Sequence, residues 1–201
     1  MTNDIISSYI EGLPLLHSSM EQAKGQGNEL YKAYYTLVSV SLFVAMTMID
    51  NMVSAKYFIL ADNDYEKRFM RGKMKIILNE GFKKLYGFKD QHKNTEWRRL
   101  QPLIKNLPVE INNQYQELTD LLEKHSASST WWKEDRNIET HLDAEKLYVS
   151  RQEEIIESKV MMDSVKLFST LFAVDRFLTN VHACFVNYYI DKYNRRELKS
   201  E

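Results

Sequence analysis

Apolar residues in this chain recur at three- and four-residue steps almost from end to end, the spacing of helices that bury one face. Residues 4–24 predict a first helix through Ile6, Ile10, Leu13 and Leu16, with Pro14 as a potential interruption, and Gly25-Gln26-Gly27-Asn28 breaks it. A second, longer helix runs from Glu29 to about Ala61; Leu42, Ala45 and Ile49 with Phe43, Met46, Val53 and Tyr57 give it a wide apolar stripe. Asp62-Asn63-Asp64 supplies turn and N-cap chemistry for a third helix, from Tyr65 to about Tyr86, closed by Gly87. Its pattern sets Phe69, Ile76, Ile77 and Leu78 against Arg68, Arg71, Lys75 and Lys83. Residues 88–107 are polar and irregular, punctuated by Pro102, with room for a short helix over Trp97–Ile104; Val109 to Lys124 predicts a fourth long helix. After a loop at 125–130, a last helix spans Ala144 to about Tyr193, with Ile155, Met161, Met162, Val165, Phe168, Leu171, Phe172, Leu178, Val181, Phe185, Tyr188 and Tyr189 in its stripe. At 1.5 Å per residue that helix would reach roughly 70 Å, so a kink or a protruding end is expected. The whole predicts one all-α domain over residues 1–201: an up-down bundle of four to five long helices, the N-terminal helices (1–61) and the middle helix (64–87) packing with the C-terminal half (108–193).

Composition agrees. Six Gly and three Pro are too few for a sheet protein, and 201 residues can bury a core without staples. The single cysteine, Cys184, cannot form an internal disulfide or a thiolate cluster, and reads as a small buried hydrophobe. The N-terminus lacks a basic segment followed by an apolar run, and the most apolar stretch, Leu37 to Ile49, is too short for a membrane span. The expectation is a cytoplasmic protein with no membrane partner.

The net charge of −1 hides an asymmetry: residues 66–105 hold 12 Lys and Arg against 4 Asp and Glu, and residues 106–163 hold 6 against 13. A basic block of this kind is a candidate surface for an anionic ligand. It could equally be a solvated helix face balanced in space by the acidic block.

One short segment proposes chemistry. Arg136-Asn137-Ile138-Glu139-Thr140-His141 reads R-N-x-x-x-H. With nine Arg, five His and 13 Asn in the chain, the Arg–His pair is expected by chance roughly 0.2 times and the triple roughly 0.015 times. Specificity therefore rests on Asn137. On a regular helix positions 136 and 141 lie about 140° apart, so the pair asks for a helix start or a bent turn. Imidazole titrates near neutrality and can act as general acid or base. Guanidinium grips phosphate oxygens in a fork, and an amide can orient either group. Together they suit phosphoryl chemistry on RNA, whose 2′-OH is an internal nucleophile that needs no metal. A surface Arg and a salt-bridged or capping His would leave the same trace.

With this motif, which follows a loop after the middle helices and precedes a long last helix, the chain resembles the HEPN superfamily (higher eukaryotes and prokaryotes nucleotide-binding domains). The active members are all-α bundles carrying an Arg, a polar residue and a His at R-x4-6-H spacing. The resemblance implies a metal-independent endoribonuclease without a cofactor. Arg136, Asn137 and His141 would be its catalytic residues, and two motifs would meet across a homodimer. It also implies RNA as partner, a role such as toxin or abortive-infection factor, and in that case an antitoxin. Arg68-x-x-Arg71 followed by Glu80 is similar to the polar middle helix of some such families; Arg68, Arg71 and Lys75 are then substrate-binding candidates and Glu80 a supporting one. Nucleotidyltransferase-paired members often carry a tyrosine two residues after the histidine; here that residue is Asp143.

The remaining residues have bland readings beside sharper ones. Asp50 lies in an apolar stripe, so it either pairs with an arginine near the site or makes a structural hydrogen bond. Asp175 and His182, seven apart on one face, read as a buried or interface pair, and no ligand spacing for a metal site appears. Trp131-Trp132 could stack bases, or pack as core and hinge. The competing function is a non-catalytic helical module that binds nucleic acid or protein.

Overall fold

A computed structural model describes residues 2–25, 28–88, 94–128, 136–138, 140, 144–152 and 157–197. Eight helices are present among them and no strand: α1 (Thr2–Ala23), α2 (Glu29–Leu60), α3 (Asp64–Leu85), α4 (Glu96–Arg99), α5 (Gln101–Ile104), α6 (Val109–Ser128), α7 (Ala144–Gln152) and α8 (Glu157–Glu197). The chain is an all-α bundle. α2 is its hub, packed on α1, α3 and α8, while α3 also meets α7 and α8, and α6 lies on α8.

The helix ends follow local chemistry. Asn28 Oδ1 accepts from the Leu30 N–H (2.9 Å) and starts α2; Asn63 Oδ1 accepts from the Glu66 N–H (3.0 Å) and starts α3. Glu66 Oε2 also accepts from the N–H of Asp62, the residue before the cap (3.0 Å), and ties the turn to the helix start. Gly87, at φ 89°, takes the left-handed turn after α3. Pro14 does not interrupt α1, which runs continuously through it. The apolar line of α1 passes through Ile6 and Tyr9, leaving Ile10 half exposed at 49%. Of the predicted last helix, the described residues give α7 and the 41-residue α8, about 60 Å long.

Three helices bury a face that overlaps the predicted stripe only in part: Ala45 in α2, Leu78 in α3 and Leu171, Leu178, Val181 and Phe185 in α8 are buried as expected, and other stripe residues are not. α2 is apolar nearly all round, so its pattern does not aim it. Leu37, Val44, Met48 and Met52 face the core together with Ser41, Thr47, Asn51 and Ser54, whereas Met46 and Tyr57 look outward. In α8 the core line is Val160, Leu167, Leu171, Val174, Leu178, Val181 and Phe185, and Met162, Val165 and Phe172 are exposed. In α3 the inward line carries Arg71, Lys75 and Asn79 among Met74, Leu78, Phe82 and Leu85, while Phe69 is exposed.

By length and composition α2 is the helix, among those described, that could cross a membrane; here just over half of its most apolar stretch is buried inside the bundle. Trp97 anchors α4 in the core. It is fully enclosed and stacks on Tyr115 (4.6 Å between centroids). Its indole N–H donates to Thr119 Oγ1 (2.9 Å), and the Tyr115 hydroxyl donates to the Trp97 carbonyl (3.1 Å). Each polar tip is thus satisfied as its ring is buried. Cys184 packs, half-buried, against the core.

Candidate functional site

Arg136, Asn137, Ile138 and Thr140 are helical, and the Thr140 hydroxyl donates to the Arg136 carbonyl (2.8 Å). These residues form a helical turn that carries Arg136. Its guanidinium reaches back to the middle of the chain. Arg136 Nε donates to Glu80 Oε1 (2.6 Å), and Nη2 lies in ion-pair contact with the same oxygen. Nη1 donates to Asn137 Oδ1 (2.6 Å). The ion pair is half-buried, with side-chain exposures of 23% for Arg136 and 27% for Glu80. These contacts engage at most three of the guanidinium's five N–H groups, so donors remain for an anionic oxygen.

The two ends of this pair are 56 residues apart in sequence. Arg136, Asn137 and Glu80 are therefore brought together by the fold. His141, Trp131 and Trp132 lie outside the described residues.

The other candidates are not part of the cluster. Arg71 and Lys75 are 4% and 5% exposed, sharing the buried face of α3 with Asn79. At 100° per residue Lys75 points about 140° away from Glu80, and Arg71 about 180° away. Arg68 is half-buried, twelve positions before Glu80, roughly 18 Å along the axis. The basic block thus divides, and the part read as substrate-binding turns into the bundle. Lys73, Lys83 and Lys84 instead project within about 60° of Glu80; Lys73 and Lys84 are exposed and Lys83 is half-buried. The sequence pattern did not single them out because it did not fix the phase of α3. Helical spacing from Glu80 would have found them.

Asp50 is exposed on α2 and makes no hydrogen bond or ion pair with a described residue; partial desolvation pushes its carboxyl upward. Asp175 and His182 do not pair with each other. Asp175 accepts from the Tyr9 hydroxyl (2.9 Å), and burial, with that bond and the carboxylate charge, raises the Tyr9 phenol strongly. His182 Nε2 lies 3.2 Å from Ser41 Oγ. Because the serine hydroxyl already donates to the Leu37 carbonyl (3.0 Å), the imidazole must be the donor. The same logic holds at His125, whose Nδ1 is 3.0 Å from a Thr170 hydroxyl that donates to the Lys166 carbonyl (2.9 Å). Burial lowers both imidazoles, with Lys166 adding to the effect at His125. Each is a satisfied structural histidine. Among the described residues no group of three His, Cys, Asp or Glu side chains is placed to hold a metal ion.

No protein-family model matches the chain, and no curated protein and no solved structure matches it either.

Proposed function

We propose that the chain is a metal-independent endoribonuclease of the HEPN kind. It would act as a homodimer in which the motifs of two copies share one site. The observation that carries this reading is the placement of Arg136 and Asn137 in one half-buried cluster on Glu80. The guanidinium is held rigidly yet keeps donors for a phosphate, which is what stabilising charge on a phosphorane-like transition state requires.

In this reading a neutral His141 imidazole takes the proton from the ribose 2′-OH as that oxygen attacks phosphorus. The P–O5′ bond breaks, and the partner copy's imidazolium protonates the departing 5′ oxygen. The products are a 2′,3′-cyclic phosphate and a free 5′-OH. Arg136 binds the non-bridging oxygens and Asn137 orients the guanidinium. Lys73, Lys83 and Lys84, on the Glu80 face, guide the backbone in place of Arg71 and Lys75. A toxin or defence role, with an antitoxin as partner, extends the same proposal.

A second reading is a helical binding module without catalysis. It is favoured by the burial of Arg71 and Lys75 and by the pairing of Arg136 with an acid, both of which a purely structural network would also produce. The two readings separate on product chemistry. Incubated with single-stranded RNA in EDTA, the protein should release fragments ending in 2′,3′-cyclic phosphate, and a fully 2′-deoxy substrate should stay intact. Binding without cleavage supports the module instead, and cleavage of the deoxy strand excludes the proposed chemistry.

A further inference from the structure

A groove of about 500 Å³ opens between the start of α1, the C-terminal half of α2 and the N-terminal half of α8. Met52, Ala55, Met161, Val165 and Phe168 form its walls. Its floor holds a polar pair that is already closed on itself: Asn51 Nδ2 donates to the Ser164 carbonyl, and the Ser164 hydroxyl donates to Asn51 Oδ1, both at 3.0 Å. A floor satisfied in this way asks for no polar ligand. Lys56 is the one charged side chain among the described lining residues. Its ammonium donates to Asn3 Oδ1 (3.0 Å) and lies 5.8 Å from the Tyr57 ring centroid, which fixes it at the rim. Of its three N–H donors one is engaged by Asn3.

We propose that this groove binds a single-chain aliphatic carboxylate of medium length, with the tail along the apolar walls and the carboxylate on Lys56. Size, shape and charge agree on this class. The volume is that of a small-molecule site. Met52 to Ile59 on α2 and Met161 to Phe168 on α8 each span seven steps, about 10 Å. An extended carbon chain advances about 1.3 Å per bond, so eight to ten carbons fill that length. An apolar pocket with one cation at its mouth selects an anionic head and leaves cationic heads uncompensated. The groove does not depend on the Arg136 cluster, and the proposal stands or falls apart from the nuclease reading.

Calorimetric titration of the full chain with decanoate, below its micelle concentration, tests this. One decanoate per chain should bind. Octanoate should bind about tenfold more weakly, the effect of two methylenes, and decanol and decyltrimethylammonium at least about tenfold more weakly for want of the charged hydrogen bond. Lys56→Gln should cost decanoate about tenfold and leave decanol unchanged. Ala55→Trp, which fills the groove, should abolish binding while its circular-dichroism melt remains cooperative. Absence of saturable decanoate binding, equal affinity for decanoate and decanol, or unchanged binding by a folded Ala55→Trp variant each overturns the proposal. So does sedimentation showing the groove face closed by a second copy that excludes decanoate.

Discussion

Arginine 136 shows how a single residue gains meaning from the fold. In sequence it is one of nine arginines; in the structure its guanidinium is bonded to Glu80 on one side and Asn137 on another. An ion pair about a quarter exposed contributes little to stability, on the order of 1 kcal/mol, so its value is positional. The two enclosed histidines behave differently. His125 and His182 both have imidazoles lowered below the ordinary 6.5. Above that pH they are neutral in both the folded and the unfolded chain, and the fold keeps its full stability. As pH falls through 6.5 toward their folded values, the unfolded chain takes up protons that the folded chain refuses, and stability is lost. Thermal melts between pH 7.5 and 5 should therefore show a falling melting temperature, with a shallower slope for His182→Gln. Identical slopes in the two proteins would show that His182 does not contribute to the acid sensitivity.

At the scale of elements, α2 and α3 approach each other closely at Gly81. A Cβ built on Gly81 would stand 2.7 Å from Thr47 Cγ2. The threonine cannot easily turn away, because its hydroxyl donates to the Phe43 carbonyl (2.8 Å). Gly81→Ala would gain about 1 kcal/mol of helix propensity but incur an overpacking cost of about 1–3 kcal/mol, so the single variant should be neutral to destabilised by about 2 kcal/mol. Thr47→Ser removes the clashing methyl and keeps the hydroxyl. In that background Gly81→Ala should become stabilising by up to about 1 kcal/mol. Denaturant midpoints of the four proteins measure this coupling, and strict additivity would refute the close contact. This contact also helps explain why the phase of α3 was not legible from its apolar residues. The helix turns Gly81 and Gly72 inward with Arg71 and Lys75, and a reading that sends charges outward places that face on the wrong side. α2, apolar on every side, carries no phase information of its own.

At the scale of the whole molecule, the class of fold was legible. Three- and four-step periodicity, few turn residues, and caps at Asn28 and Asn63 are local signals, and local signals set helix number and ends. The candidate site was legible in part. Arg136 and Asn137 stood out as a motif, whereas their contact with Glu80 spans 56 residues and no spacing rule reaches that far. Lys83 and Lys84 became candidates once Glu80 was fixed as the reference point on α3. The groove lined by Val165 and Phe168 was not legible at all, because the sequence assigned both to the core stripe of the last helix, whereas Val165 is 60% exposed.

The measurement that bears most directly on the nuclease reading is RNA cleavage by the wild type and by His141→Ala, side by side in EDTA, with circular dichroism confirming that both are folded. The expected result is cleavage by the wild type and loss of at least about a hundredfold in the variant, the contribution of a general acid–base group. Equal activity in the two proteins, or activity that appears only when metal is added, contradicts it.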